Sequence, residues 1–371
     1  MSTIPSKSSY DVAVVGGGAV GLACAWRIAL RGRSVLLAER DRPGAGASGV
    51  AAGMLAPVTE AEFGEQDLLR ANLASGELWP GFAAELAERS GLSPGFRESG
   101  ALVVAADRDD AEELRRLHDF QRRLGLDAEW LTPSAARRAE PGLSPRIAGA
   151  IHAPQDHQVD PGALVSALTA AVEGAGGELA TGVEVAAVDA HGVTLADGRR
   201  VDAGHVVLAA GCWSASLAGI PVRPVKGQVL HCRARGPERL CVALVRSPRC
   251  YVVDRGDGRV LVGATVEERG FDTRVTAEGV FRLLEAAIEL LPDVEELEFE
   301  GAAAGLRPAT PDNMPLVGPA EDGVLLATGH YRNGILLAPL TAQVVAAVVC
   351  GEPVPEAAVP LSPARRAGSP A

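Results

Sequence analysis

The stretch VAVVGGGAVGLACAWRIALRGRSVLLAE, residues 12–39, decides the fold. It opens with a β-branched run at residues 12–15, passes through three glycines, and then places apolar residues at helical spacing as far as Gly32. A second apolar run occupies residues 34–39. Two strands joined through a helix lie parallel, because the crossover returns the chain to the same end of the sheet. The stretch therefore predicts the opening unit of a Rossmann-type α/β domain.

Gly16, Gly18 and Gly21 form the pattern G-x-G-x-x-G between the first predicted strand and its helix. Glycines at this spacing allow a tight turn and a close approach of the backbone to a pyrophosphate, which the helix N-terminus attracts. Glu39 ends the second strand, where a carboxylate can accept hydrogen bonds from ribose hydroxyls and would repel a 2'-phosphate. The alternative is a glycine-rich turn that only packs a helix on a strand. The motif indicates NAD or FAD and leaves the two open.

Further segments extend this α/β frame. Pro339 stands where a first helical turn tolerates proline, and residues 335–350 form an apolar run shorter than the about 20 residues of a membrane span, which indicates a buried helix. Other periodic runs predict a helix at 162–175 and strands at 183–188, 193–195, 205–210 and 324–327.

A different pattern lies between these segments. Strands are predicted at 101–106, 222–234, 241–245, 250–254 and 259–265, with a hairpin turn at Asp257-Gly258. Helices near 109–124 and 276–291 are expected to cover one face of the resulting, mainly antiparallel sheet. We predict an α/β fold, an α+β composite in which a Rossmann-type dinucleotide-binding domain (10–90, 145–220 and 301–362) interleaves with an antiparallel substrate-binding domain (91–144 and 221–300). Residues 1–9 and 363–371 are expected to be tails.

Composition excludes several classes of function. The 371 residues carry a formal charge of -12, which disfavours nucleic acid and anionic membrane surfaces as partners. The six cysteines are scattered without metal-ligand spacing, so no metal site is expected. Free thiols fit a reducing compartment, and the N-terminal residues do not form a signal peptide. We therefore expect a cytoplasmic protein that neither enters a membrane nor binds nucleic acid.

Five segments resemble the D-amino-acid oxidase family of FAD-dependent oxidoreductases. They are GASGVAAGMLAP at 46–57, VKGQ at 225–228, CYVV at 250–253, GLRP at 305–308 and GHYRNGILLAP at 329–339. The likeness runs from about residue 10 to residue 349 and, within the family, is greatest to the glycine oxidases of thiamine biosynthesis. It implies FAD as the cofactor. It also implies non-covalent binding, because the cysteine that tethers flavin in related sarcosine oxidases is absent before Thr310-Pro311-Asp312.

The motif and the family match together imply a set of cofactor contacts. A run around Gly334 leads into the predicted helix near Pro339, whose positive end would stabilise negative charge on a reduced flavin; the alternative is a plain helix entry. The implied contacts are Gly16, Gly18, Ala19, Val20, Gly21, Glu39, Arg40, Ala47, Ser48, Gly53, Met54, Val185, Gly211, His330, Tyr331, Arg332, Asn333, Gly334, Ile335 and Leu336.

The resemblance also implies three catalytic residues. Arg307 matches the arginine that binds the substrate carboxylate, which a planar guanidinium can hold through two parallel hydrogen bonds. Tyr251 matches a tyrosine that helps to hold this carboxylate, and Arg332 matches a second active-site arginine. Each has a structural alternative: a surface ion pair for Arg307, cross-strand packing for Tyr251 and a clamp between domains for Arg332.

Three further positions bear on the pocket. Lys226 could stabilise superoxide beside the flavin or form an ordinary salt bridge. Val266 stands where some family members have methionine, and Arg249 stands where histidine is expected, so the shape of the pocket is in doubt. The other histidines are expected to be structural or on the surface: His118, His152, His157, His191, His205 and His231.

The implied reaction is oxidation of glycine, sarcosine or a small D-amino acid to its imine and then glyoxylate, with O2 reduced to H2O2. The implied partners are the small amino acid and O2, a thiazole synthase that takes the imine, and further copies of the chain in a homo-oligomer such as a tetramer. Two alternatives stay open. One is another amine oxidase or a D-amino-acid dehydrogenase of the same family, and the other is an FAD-binding protein without turnover.

Overall fold

The computed structural model describes residues 5–236 and 238–368. Within these ranges the chain forms eighteen strands: β1 Ser9–Val15, β2 Val35–Glu39, β3 Met54–Leu55, β4 Ala101–Ala105, β5 Glu129–Leu131, β6 Gly149–Ala153, β7 His157–Gln158, β8 Glu178–Thr181, β9 Val185–Asp189, β10 Gly192–Leu195, β11 Arg200–Leu208, β12 Arg223–Arg233, β13 Leu244–Arg246, β14 Tyr251–Asp254, β15 Arg259–Gly263, β16 Glu298–Ala309, β17 Leu316–Pro319 and β18 Leu325–Thr328.

The same ranges contain eight α-helices: α1 Ala19–Ala29, α2 Gln66–Ser90, α3 Arg108–Arg123, α4 Pro133–Ala139, α5 Pro161–Gly174, α6 Ser214–Ala218, α7 Ala277–Leu290 and α8 Ala338–Cys350. Side-chain caps fix the start of several helices. Asp160, for example, accepts hydrogen bonds from the amides of Gly162 and Ala163 ahead of α5, which has Pro161 in its first turn.

The first sheet has the order β17-β18-β11-β1-β2-β8, and β9 and β10 extend it from β11. β18, β11, β1, β2 and β8 run parallel, and the parallel pair β1 and β2 confirms the prediction from residues 12–39. Helices α1, α5 and α8 pack on one face with α2 behind them, and the fully buried Leu22, Trp26 and Ile28 of α1 lie in this core. A second core covers the other face.

The second sheet has the order β16-β12-β15-β14-β13-β4-β6-β5. Its neighbouring strands are antiparallel except β13 and β4, which are parallel. β12 and β16 pair along nearly their whole length, with Val225 opposite Arg307 and Gly227 opposite Gly305. Since side chains alternate between the faces of a strand, all four of these residues lie on one face.

The prediction that two helices cover one face of this sheet is wrong. Leu283 of α7 packs with Leu102 and Val104, whereas Leu114 of α3 packs with Val103 and Ala105. Alternate residues of β4 point to opposite faces, so the two helices lie on opposite sides. α3 thus lies on the same face of the second sheet as the loop at Ala52, which belongs to one hydrophobic cluster with Ala101 at the start of β4.

Two predicted boundaries and one predicted tail also differ from the structure. Gly149–Ala153 falls within the range 145–220 expected for the cofactor domain, yet it pairs with β4 and β5. β16 begins at Glu298 and belongs to the second sheet, because it continues the ladder of β12. Pro363–Gly368 forms a 3-10 turn, and Arg365 binds Asp312 and the carbonyl of Met314, so this part of the expected tail is docked. Residues 1–4 and 369–371 lie outside the described residues.

Candidate active site

One cavity of about 430 Å³ separates the carboxyl ends of the parallel strands from the second sheet. Its walls are the glycine loop after β1, the segment after β2, the end of β11, and parts of β12, β14 and β16. Ligands of open parallel sheets bind at this end of the strands. The two sheets therefore place the predicted dinucleotide motif and the predicted substrate residues around one space.

The glycine loop is closely packed. A β-carbon on Gly16, whose φ is +108°, would lie 2.5 Å from the Ala209 carbonyl oxygen, and one on Gly21 would lie 2.0 Å from the Gly16 carbonyl oxygen. Gly21 is therefore required for helix–strand packing and does not line the cavity. Glu39 Oε2 accepts a hydrogen bond from the Gly17 amide at 2.7 Å, so the carboxylate lies at the mouth of the loop.

The N-terminus of α1 opens onto the cavity. Gly18 supplies no side-chain cap, and the first turn contains no acidic residue. The Ala19 amide donates to Ser48 Oγ at 3.0 Å, which brings the segment after β2 against this helix end. A positive helix end without an acidic residue in its first turn, together with a ribose-side carboxylate, fits the pyrophosphate and ribose of FAD.

Trp213 belongs to the same part of the cavity, although sequence analysis missed it. The guanidinium carbon of Arg40 lies 4.2 Å from the centre of the Trp213 ring, and both residues line the cavity together with Val185. A signal was present, because Trp213 follows the end of β11, the fourth parallel strand in chain order.

The run from Gly329 into α8 has unusual backbone geometry. Gly329 and Tyr331 have φ values of +77° and +49°. His330 is buried, its Nε2 lies 2.9 Å from Thr341 Oγ1, and burial lowers its pKa to about 3, so the imidazole is neutral. His330, Tyr331, Arg332, Gly334 and Ile335 line the cavity.

Asn333 and Leu336 do not line it, in contrast to the prediction. The Leu336 carbonyl accepts hydrogen bonds from Ser75 Oγ at 2.6 Å and Trp79 Nε1 at 2.9 Å, both on α2. Leu336 therefore anchors the run to the helical layer behind it.

Arg307 extends from β16 across Gly227 of β12. A β-carbon at Gly227 would lie 2.4 to 2.5 Å from the guanidinium atoms, so only glycine leaves room for this conformation. Nη1 donates to the carbonyls of Thr265 (3.0 Å) and Lys226 (3.3 Å), and no carboxylate pairs with Arg307 among the described residues. A half-buried guanidinium that binds only carbonyls is well suited to take a ligand carboxylate.

Tyr251 lies at the start of β14 opposite Gly263 of β15. A β-carbon on Gly263 would lie 2.4 Å from the tyrosine hydroxyl, so the ring crosses this glycine as Arg307 crosses Gly227. Burial raises the pKa of Tyr251 to about 12, although the charge of Arg307 opposes the shift. The hydroxyl is thus protonated at neutral pH and can donate a hydrogen bond beside the guanidinium.

Arg332 forms an ion pair with Glu62, and its guanidinium lies 5.3 Å from the Tyr331 ring centre. Arg246 and Glu60 form a second pair at 3.4 Å that sequence analysis missed, and both line the cavity. No sequence signal distinguished Arg246 and Glu60, because they lie far apart in the chain. The ion pair connects β13 to the segment between β3 and α2.

Lys226 faces away from this space. It is 1% exposed, does not line the cavity, and binds Glu267 at 3.3 Å. The salt bridge is thus what the structure shows, and the role in stabilising superoxide is not supported. Val266 and Arg249 both line the cavity, and Arg249 forms an ion pair with Glu289.

Most predicted site residues meet at the cavity. In addition to Arg307, Tyr251 and Arg332, the lining includes Gly16, Gly18, Ala19, Val20, Glu39, Arg40, Ala47, Ser48, Gly53, Met54, Val185, Gly211, His330, Tyr331, Gly334 and Ile335. Among residues 5–236 and 238–368, no helix is both long and apolar enough to cross a membrane. No group of three metal-binding side chains occurs in the same ranges.

Comparison with known proteins agrees with this geometry. Residues 11–348 match the model of the DAO family, FAD dependent oxidoreductase. Glycine oxidase of Geobacillus kaustophilus is 39% identical over 352 residues, covering 92% of this chain and 93% of that protein. The crystal structure of glycine oxidase from Geobacillus kaustophilus superposes with a TM-score of 0.91 at 37% identity, covering 96% of this chain and 98% of that one.

A bifunctional protein ThiO/ThiG of Trichormus variabilis is 36% identical over 345 residues, covering 91% of this chain and 52% of that protein. The match to the family model spans nearly the whole chain, and the Geobacillus kaustophilus protein matches over nearly the full length of both chains at well above 30% identity. The chain is a member of the DAO family of FAD dependent oxidoreductases, with FAD as its cofactor.

Proposed function

We propose that this enzyme oxidises glycine and other small amino acids with a free carboxylate, such as sarcosine and small D-amino acids, to the imine, with O2 reduced to H2O2. Water then hydrolyses the imine to the 2-oxo acid, which is glyoxylate for glycine, and releases ammonia or the amine. One observation carries the proposal: Arg307 lines the cavity beside Tyr251 with no carboxylate partner among the described residues. The names of the glycine oxidase relatives support the choice of substrate.

The residues of the chain position the substrate. The Arg307 guanidinium would hold the substrate carboxylate in a planar fork, and the neutral Tyr251 hydroxyl would donate a further hydrogen bond to it. With the carboxylate fixed at this end, the Cα–H bond has a restricted set of orientations in the cavity, which lowers the entropic part of the barrier. When bound, FAD would supply the redox chemistry, with a hydride acceptor for Cα and reoxidation by O2.

Glu39, Arg40, Ser48 and the first turn of α1 would hold the adenosine half and the pyrophosphate of FAD, and the run from His330 to Ile335 would hold the flavin half. We further propose that the imine passes to a thiazole synthase, which the ThiO/ThiG relatives support. A cytoplasmic homo-oligomer such as a tetramer completes the proposal. Six free cysteines support a reducing compartment.

The test replaces Arg307 and follows peroxide release. Arg307→Leu should keep FAD but lower kcat/KM for glycine by about 100-fold or more, because each lost charged hydrogen bond contributes about 1.5 to 3 kcal/mol. Arg307→Lys should recover part of the loss, since an ammonium cannot form the planar fork. Arg223→Leu is the matched control, because Arg223 lies on the paired strand β12, binds Glu268 and does not line the cavity.

Near-normal kcat/KM in Arg307→Leu would show that another residue binds the carboxylate. Reduction of the flavin by glycine without peroxide would favour a dehydrogenase, and a flavin that glycine does not bleach anaerobically would favour binding without turnover. A substrate panel adds a second criterion. Sarcosine should react within about 200-fold of glycine, because one methyl group is poorly discriminated, whereas ethylamine should be far worse since it leaves Arg307 unpaired.

A further inference from the structure

Asp156 is a fully buried carboxylate in the turn between β6 and β7, outside the residues assigned to substrate and cofactor. Its Oδ1 accepts a hydrogen bond from the Val58 amide at 3.0 Å, and its Oδ2 accepts one from the Thr59 amide at 2.8 Å. Among the described residues it forms no ion pair, so two backbone amides are its principal partners.

A second buried polar side chain holds the same dipeptide. Gln121 of α3 is 0% exposed and donates from Nε2 to the Val58 carbonyl at 2.9 Å. Burial raises the pKa of Asp156 to about 6, opposed by the hydrogen bonds from Val58 and Thr59 and by the charge of Arg246. Burying a carboxylate without a cationic partner is costly. The arrangement therefore fixes the backbone at Val58-Thr59 at the expense of stability.

The fixed dipeptide leads directly to the cavity wall. Arg246 Nη1 donates to the Thr59 carbonyl at 3.1 Å and to Glu60 Oε1 at 3.4 Å, and two residues further on Glu62 binds Arg332. Glu60, Arg246 and Arg332 all line the cavity. Asp156 itself does not, so it can act on the cavity only through this segment.

We propose that Asp156 is a positioning residue for substrate binding, which fixes Val58-Thr59 so that Glu60 and Glu62 orient Arg246 and Arg332 on the wall of the pocket. The proposal rests on the proposed function for its substrate. The local order that it requires, however, can be measured without any substrate.

The experiment compares Asp156→Ala with Glu140→Ala in the FAD-loaded protein. Glu140 is a matched control: it is 3% exposed and its Oε2 accepts hydrogen bonds from the consecutive amides of Val242 (2.8 Å) and Ala243 (3.0 Å), which do not line the cavity. Asp156→Ala should raise KM for glycine about 10-fold, leave kcat within about twofold, and speed amide hydrogen exchange at residues 58–62. Glu140→Ala should leave KM and this exchange unchanged, even at an equal loss of thermal stability.

A double-mutant cycle tests whether the effect passes through Glu60. In a Glu60→Gln background, adding Asp156→Ala should raise KM by less than about threefold, because the link to Arg246 is already weakened. Full additivity would overturn the proposal, and so would an unchanged KM in Asp156→Ala or an equal rise in Glu140→Ala. If Asp156→Ala does not fold, Asp156→Asn replaces it, with a smaller rise in KM expected.

Failure of the proposed function gives a different result. In that case the wild-type protein does not oxidise glycine, and the dissociation constant of acetate, followed by the flavin absorbance, replaces KM. Faster exchange at residues 58–62 with weaker acetate binding in Asp156→Ala alone would still support the positioning role. An unchanged acetate constant would overturn it.

Discussion

At the scale of single residues, Glu39 has the clearest consequence for cofactor binding. Its carboxylate lies against the Gly17 amide at 2.7 Å at the mouth of the glycine loop. Glu39→Arg should give a colourless protein, because it replaces the ribose acceptor with a donor and adds a cation at this position. The measurement is the flavin absorbance per mole of purified protein. A full flavin spectrum would contradict the role given to Glu39, and Glu184→Arg at the cavity rim is the charge-matched control.

Asp156 leads to a second prediction, on pH. Its pKa is raised from 3.8 to about 6, so the folded state favours the protonated form, and stability is lost as pH rises from 3.8 to about 6. Asp156→Asn cannot ionise. The free energy of unfolding of the variant minus that of the wild type should therefore increase by about 1 kcal/mol from pH 5 to pH 8. The larger part of the total change in this difference occurs at lower pH. Denaturant unfolding at both pH values checks this, and a pH-independent difference would contradict it.

Arg307 and Asp156 show how far single residues can be predicted. Arg307 lies in a recognisable segment, so a family resemblance was enough to assign it. Asp156 meets Val58 and Thr59 from 98 and 97 positions away, and nothing in its local sequence differs from a turn aspartate. Its role depends on tertiary packing alone, which periodicity does not report.

At the scale of elements, the pairing of β12 with β16 sets the position of the guanidinium. Gly227→Ala would place a methyl group 2.4 to 2.5 Å from three guanidinium atoms, so Arg307 must move. We expect kcat/KM for glycine to fall at least about tenfold with FAD content retained. Gly81→Ala is the control, since no atom lies within 4 Å of the place its methyl group would take and the helix α2 should gain stability. Unchanged kinetics in Gly227→Ala would argue against the substrate role of Arg307.

The elements that were predicted share strong local patterns. β1, α1, β2 and strands β4, β12, β13, β14 and β15 of the second sheet follow from apolar periods bounded by glycine or charged residues. Strands β5, β6 and β16 of that sheet were missed. α2 was missed although it has 25 residues, because Pro80 interrupts its pattern and Gly76 and Gly81 weaken it. Its buried residues Trp79, Phe82 and Leu86 stabilise the helix by packing instead. The prediction that α3 and α7 cover the same sheet face was wrong because the pattern of apolar residues in a helix does not show which face of a sheet the helix packs on.

At the scale of the whole molecule, the cavity between the two sheets predicts a strong dependence of stability on FAD. A ligand that binds only the folded state stabilises it by about 4 kcal/mol at 1,000 times its dissociation constant. Removal of FAD should therefore lower Tm, and added FAD should restore it in proportion to the logarithm of its concentration. Differential scanning fluorimetry measures this. Glu39→Arg should show no such restoration, and an equal Tm with and without FAD would contradict the position of the cofactor between the sheets.

Helices α1 and α8 pack against each other although they lie near opposite ends of the chain and are synthesised at different times. The unit β1-α1-β2 emerges from the ribosome before α8, which spans Ala338–Cys350 and covers α1. Residues of α1 and α8 belong to one hydrophobic core. Until α8 is translated, the part of the apolar face of α1 that α8 covers has no permanent cover, although α5 can already pack beside it. The nascent chain is therefore a candidate client of chaperones that shield exposed apolar surface.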